Sequence, residues 1–236
     1  MGQTKINVTR RVRTLLTKGL VYYTDNQCED SILKLVQENI KSCGDYKIVS
    51  VSLKPIDFGE NIVLSIERGY LAMFKQILTG LENINTDIVF LVEHDVLYTK
   101  EHFEFTPLRK DLFYYNMNNW QVRLEDGFAV YWDCKKVSQL CAYRELLLEH
   151  YTERVRRVEL EGYTFRMGFE PGTHRRHERV DNRKSEVWKS ESPNLDIRHG
   201  KNLVRTKWYP SEFRNPCNNW MASTILELPG WGDFKS

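Results

Sequence analysis

Glu93, His94 and Asp95 stand together in "IVFLVEHDVLY", where an uncharged run from Ile88 ends on two carboxylates and an imidazole. On an extended backbone alternate side chains share a face, so Glu93 and Asp95 point one way and can grip one ligand. His94 then faces the other way and reads as a core or supporting residue. Two carboxylates at a strand tip suit a hard divalent cation, Mn²⁺ or Mg²⁺, which takes oxygen donors and bridges to phosphates. A third ligand stands far along the chain: "DIRHGKN" sets His199 in a polar turn before Gly200, and imidazole is a usual metal donor. Beside it Arg198, alternating with Asp196, and Lys201 carry charge that can hold diphosphate oxygens. The plain alternative is that a strand end needs polar residues to meet water and that His199 is a surface histidine.

These residues need elements that bring them together. "GLVYYT" from Gly19 reads as a strand, "DNQCED" as a turn and "SILKLVQENIK" as an amphipathic helix. "YKIVSVSL" from Tyr46 predicts a second strand, "KPIDFGEN" a loop, and "SIERGYLAMFKQILTGLENI" a helix with Ser65 at its N-cap and Arg68 one turn in. "TDIVFLV" is the strand that ends on the acids. Strands alternating with helices imply βαβ units in a mostly parallel sheet, and ligands collect beyond the carboxyl ends of such strands. Later, "DLFYYNMNNWQVRL" and "GFAVYWDC" read as strands and "KVSQLCAYRELLLEHYTERVRRVELE" as one long helix, so the second half reads as α+β. Gly162 to Pro193 is expected to be loop, and the tail from Asn194 to lie back over the sheet with little core of its own.

The whole chain sets bounds. At 236 residues and 41% hydrophobic content it has material for one sizeable core, and a single domain is expected. A formal net charge of +2 demands neither a nucleic-acid partner nor a solvating tail. No apolar stretch is long enough for a membrane span, and a soluble, cytoplasmic protein is expected. Five scattered cysteines without a C-x-x-C pair argue against a zinc ribbon or a disulfide framework, and read as reduced fillers.

With "VYYTDN", "FLVEHDVLY" and "DIRHGKNL" in this order, the chain resembles the GT-A fold of nucleotide-sugar glycosyltransferases, close to family 2. The resemblance implies an α/β, Rossmann-like single domain over 1–236, with a nucleotide-binding half at about 18–98 and an acceptor half at about 99–236. It places base and ribose at Tyr23, Thr24, Asp25 and Asn26, with Tyr22 as an alternative stacking ring and Arg68 also among the donor-binding residues. Asp95, Glu93 and His199 become the metal set, with Glu93 where the family carries Asp. The helix, "GY" strand and Pro–His layout of "YRELLLEHYTERVRRVELEGYTFRMGFEPGTHRRH" makes Glu145 the first candidate general base and Glu149 the next, one turn on. Glu170 and Asp126 are the alternatives.

The implied reaction is metal-dependent transfer of a sugar from a nucleotide-sugar, expected to be a UDP-sugar, to an acceptor hydroxyl with inversion. The acceptor is a saccharide or glycoconjugate, for which Trp120, Trp132 and Trp208 offer stacking surfaces. Alternatively it is nucleic acid, such as a hydroxymethylated base in DNA, met by the basic "HRRHERVDNRKSEVWK" together with "ERVRR" and "TRRVR". Two rivals remain. A sugar-phosphate nucleotidyltransferase would carry a Gly-rich phosphate loop, which "YYTDNQCED" lacks. A non-catalytic nucleotide-binding module of the same fold would bind without turnover.

Overall fold

The structure is a computed structural model and describes residues 15–164, 167–173, 179–215 and 217–234. His174, part of the layout above, lies outside the described residues, as do the "TRRVR" segment and the start of the basic stretch.

The first half follows the periodicities. In β1 (Lys18–Thr24) Leu20 and Tyr22 face one side and Val21 and Tyr23 the other, each alternate pair joining a different buried cluster. One face is covered by α1 (Asp30–Ser42) through Ile32, Val36 and Ile40. After β2 (Lys47–Ser52) and β3 (Glu60–Val63), α2 (Tyr70–Asn83) covers the other face with Phe74, Ile77 and Leu81. The chain then enters β4 (Ile88–Glu93), fully buried up to its final glutamate.

Beyond the short β5 (Val96–Leu97) and α3 (Lys100–Glu104) come β6 (Leu112–Asn116), β7 (Asn119–Val122), β8 (Phe128–Tyr131), β9 (Leu140–Tyr143) and α4 (Arg144–Glu161). β10 (Lys184–Trp188), β11 (Asn194–Ile197) and β12 (Met221–Thr224) complete the set. The large sheet has the order β10-β6-β9-β4-β1-β2-β3. Its strands β4, β1, β2 and β3 are parallel, and β9 runs antiparallel between β4 and β6. Successive strands wind outward from β1 to β3, and the chain then returns to place β4 on the other side of β1. This reversal is the switch point of the sheet, and Thr24 and Glu93 stand at its carboxyl rim.

A second sheet, β12-β8-β7-β11-β5, packs its Trp120, Val122, Leu195 and Ile197 into the core on the α1 side. No helix among the described residues is long and apolar enough to cross a membrane.

Five readings of the sequence need correction. The "KPIDFGEN" loop runs into a strand, β3, which takes its hydrogen bonds from β2. α2 starts at Tyr70, so Ser65 is not its N-cap and Arg68 sits in the entry loop. The long helix is only the last 18 residues of the expected stretch, because "LCAY" is the antiparallel strand β9. The stretch expected to be loop contains β10, and the tail supplies the fully buried β11, so it does build core.

Candidate active site

A cavity of about 430 Å³ opens above the switch point. Its floor is the rim of β1 and β4, one wall is α2, and the segment after β11 closes the other side.

The β1 and β4 tips are joined directly: Tyr23 and Glu93 are register partners, and the Tyr23 hydroxyl donates to Glu93 Oε1 at 2.5 Å. Burial pushes the Glu93 carboxyl up to about 8, and the Asp95 charge beside it adds to the shift. Asp95 is buried, with Oδ2 accepting from Asn202 Nδ2 at 2.6 Å and lying 3.4 Å from His199 Nε2. Its other oxygen, Oδ1, is buried without a hydrogen-bond partner, as is His199 Nε2. Such orphaned atoms are uncommon in folded proteins and call for an explanation, which a ligand at the cavity would supply.

Of the residues expected to hold a donor, Tyr23, Thr24, Asp25, Arg68, Arg198 and Lys201 all line the cavity. Arg68 pairs with Asp25 and also donates to the Lys201 carbonyl, bridging the β1 loop to the late segment. Arg198 is held on all sides: Nη1 donates to Asp196 at 3.1 Å, Nε to Thr206 Oγ1 at 3.0 Å and Nη2 to the Val204 carbonyl at 2.8 Å. It therefore shapes the local field more than it offers free donors. Asn26 does not line the cavity. Its Oδ1 accepts from the amides of Leu53 and Lys54, each at 2.8 Å, and with φ 56° it turns the loop.

Among the four carboxylates considered as general base, only Glu170 lines the cavity, and burial raises its carboxyl. Glu145 is exposed in the first turn of α4, and Glu149 is exposed and pairs with Arg183 at 2.8 Å. Asp126 sits in the β7–β8 turn and is held by Arg123, which keeps its carboxyl down at about 2. The helix spacing of Glu145 and Glu149 was real, but the face that carries them does not turn to the cavity.

Several residues of the site were not legible as such. His94 lines the cavity, because β4 ends at Glu93 and residues 94–95 form a turn, so the strict alternation that aimed it away no longer applies. Buried Cys28, read as a filler, is brought close to His94 and His199. Asp196 lines the cavity between Lys136, at 2.8 Å, and Arg198, and their charges hold its carboxyl down at about 2 despite burial. Gln76 on α2 donates to the Thr24 carbonyl at 2.6 Å and the Val51 carbonyl at 3.1 Å, fixing the ends of β1 and β2. The alternation in "DIRH" signalled Asp196, whereas nothing local marked Lys136, which fell inside the expected helix.

No family model matches the chain, and no curated protein matches it.

Proposed function

We propose that this protein is a metal-dependent glycosyltransferase of the GT-A kind, taking a sugar from a nucleotide-sugar, a UDP-sugar first among them, to an acceptor hydroxyl with inversion. The observation that carries the reading is Asp95 Oδ1, buried without a hydrogen-bond partner beside Glu93 at the carboxyl rim of the switch point, where both residues line the cavity. Asp95 and Glu93 would hold a divalent cation of the Mn²⁺ or Mg²⁺ class there, whereas His199, the third ligand expected from the sequence, does not line the cavity and lies with Cys28 and His94. When bound, the cation supplies Lewis-acid stabilisation of a leaving diphosphate.

The chain's own residues do the rest. Tyr23, Thr24 and Asp25 offer a ring and polar groups to base and ribose at the β1 tip, and Arg68 holds Asp25 in place. Lys201, Arg205 and Lys207 bring positive charge to the cavity from the late segment, opposite the acids, where diphosphate oxygens need it. Glu170, raised by burial and facing the cavity, is poised to take the proton from an acceptor hydroxyl. Trp132 and Phe213, packed with ring centroids 5.0 Å apart at the cavity, form an aromatic wall against which an acceptor sugar can stack. This wall favours a saccharide over nucleic acid as acceptor.

Thermal unfolding with UDP and UDP-sugars, with and without Mn²⁺, tests the reading. A ligand at a hundred times its Kd stabilises the folded state by about 2.7 kcal/mol, which for a chain of this size raises Tm by roughly 5–10 °C. The shift is expected with one UDP-sugar, to depend on Mn²⁺, and to vanish in Asp95→Ala. Absence of any shift with UDP-, GDP-, dTDP- and CMP-sugars overturns the proposal.

A further inference from the structure

Three loops from the rim of the sheets bring their side chains together next to Asp95. Cys28 comes from the β1–α1 loop, His94 from the β4–β5 turn and His199 from the loop after β11, and one ligand atom of each lies within 4.8 Å of the others. Three atoms so placed fit inside a sphere of radius about 2.8 Å. An ion at its centre needs each ligand to move in by only about 0.5–0.8 Å to reach the usual distances of about 2.3 Å to sulfur and 2.0–2.1 Å to imidazole nitrogen.

The hydrogen bonding leaves the histidine atoms free, while the Cys28 sulfur meets the Glu29 backbone. His94 Nδ1 and His199 Nε2 are buried without partners, and so is Asp95 Oδ1. The other nitrogen of His94, Nε2, lies 3.9 Å from Asp25 Oδ1. That separation is too long for a hydrogen bond, so the His94 ring is free to turn a nitrogen toward an ion. Among the described residues the His199 ring has two long polar contacts, 3.3 Å from the Lys201 amide to Nδ1 and 3.4 Å from Nε2 to Asp95 Oδ2. The tautomer with its proton on Nδ1 gives up the weak Lys201 contact and frees Nε2 for a cation.

We propose that Cys28, His94 and His199 form a mixed sulfur and nitrogen site for a borderline cation of the Zn²⁺ or Co²⁺ class, with solvent completing the tetrahedral shell. A thiolate with two imidazoles selects such ions over Mg²⁺, which prefers oxygen, and over Mn²⁺, the weakest binder of the divalent transition series. Binding forms the metal–sulfur bond as the Cys28 thiol gives its proton to solvent, so one proton is released per ion. The site stands apart from the cavity acids, since neither Cys28 nor His199 lines the cavity, and its assembly needs no glycosyl transfer.

The test is a Co²⁺ titration of the intact, chelator-stripped chain followed by absorption. A thiolate-to-cobalt charge-transfer band in the near ultraviolet is expected to saturate at one equivalent. It should disappear in Cys28→Ser and in Cys28→Ala, two variants that guard against misfolding of either, with apo circular dichroism unchanged. His94→Ala is expected to weaken Co²⁺ binding at least tenfold, and competition should rank Zn²⁺ above Co²⁺ and both above Mn²⁺. Co²⁺ binding without the band, a band that survives in Cys28→Ser, or no binding at all overturns the site. A Mn²⁺-dependent shift with a UDP-sugar in a protein lacking the band would remove this site and leave the glycosyltransferase reading standing. A thiolate band without any nucleotide response would do the reverse.

Discussion

At the scale of single residues, burial decides which titratable groups do chemistry and which hold structure. Glu170 is expected to be the proton acceptor, so Glu170→Gln, which keeps shape and loses basicity, should lower turnover by about 10²–10⁴ while leaving donor binding within a few-fold. A radiolabelled sugar-transfer assay set beside nucleotide-induced thermal shifts separates the two effects, and unchanged turnover would remove Glu170 from the reaction. His150 is the structural counterpart. Its Nδ1 meets Asp181 and its Nε2 accepts from Arg154 Nε at 3.1 Å, so the fold holds it neutral, and burial pushes it from 6.5 down to about 4. Between those values the unfolded chain binds a proton that the native state refuses. The His150 contribution to stability is therefore full above about pH 6.5 and falls as pH drops toward 4, by up to about 3 kcal/mol. Glu93, raised to about 8, acts in the opposite direction over this range, so urea unfolding from pH 4 to 7.5 should show the His150 slope as the difference between the parent and His150→Gln.

At the scale of elements, α2 does two jobs. It covers β1 with its apolar stripe and presents Gln76 and Met73 to the cavity. Its close approach depends on Gly80, where a Cβ would run into the methyl groups of fully buried Val21. Gly80→Val gains only about half a kcal/mol in helix propensity. It must lift the helix from the strand, and overpacking of this kind costs about 1–3 kcal/mol. Denaturant unfolding is expected to show that loss, together with weaker donor-induced stabilisation, because Gln76 ties the β1 and β2 tips. The strands the sequence concealed share one feature. β3, β9 and β10 are short segments whose hydrogen-bond partners lie elsewhere in the chain: β3 on β2, β9 on β4 and β6, β10 on β6. "LCAY" continues smoothly into the apolar pattern of α4, and only its two neighbours make it a strand.

At the scale of the whole molecule, the two sheets act as one body through buried polar joints as well as apolar contact. Asn194, at the start of β11 and fully buried, accepts from the Thr99 amide at 2.9 Å and donates to Gln139 Oε1 at 2.6 Å. Asn194→Ala strands both partners and is expected to cost about 2–4 kcal/mol. The loss should appear as a single transition, coincident by tryptophan fluorescence and far-ultraviolet circular dichroism. Two separated transitions would show that the sheets unfold apart. The joint matters for the site, because β11 leads into His199 and the positive segment that closes the cavity.

The sequence by itself determined what short-range forces decide. Alternating and helical periodicities placed β1, α1, β2 and β4, and an uncharged run that stops at Glu93 located the acidic rim. These signals need only a few neighbouring residues. Only the tertiary structure decided which distant groups meet. It brought Cys28, His94 and His199 to one point and set Asp196 between Lys136 and Arg198. It also turned Glu170 to the cavity and left Glu145, Glu149 and Asp126 outside its lining. Those outcomes depend on the turn at 94–95, the face of α4 that packs and the strand order of two sheets, all set by contacts between segments far apart in the chain.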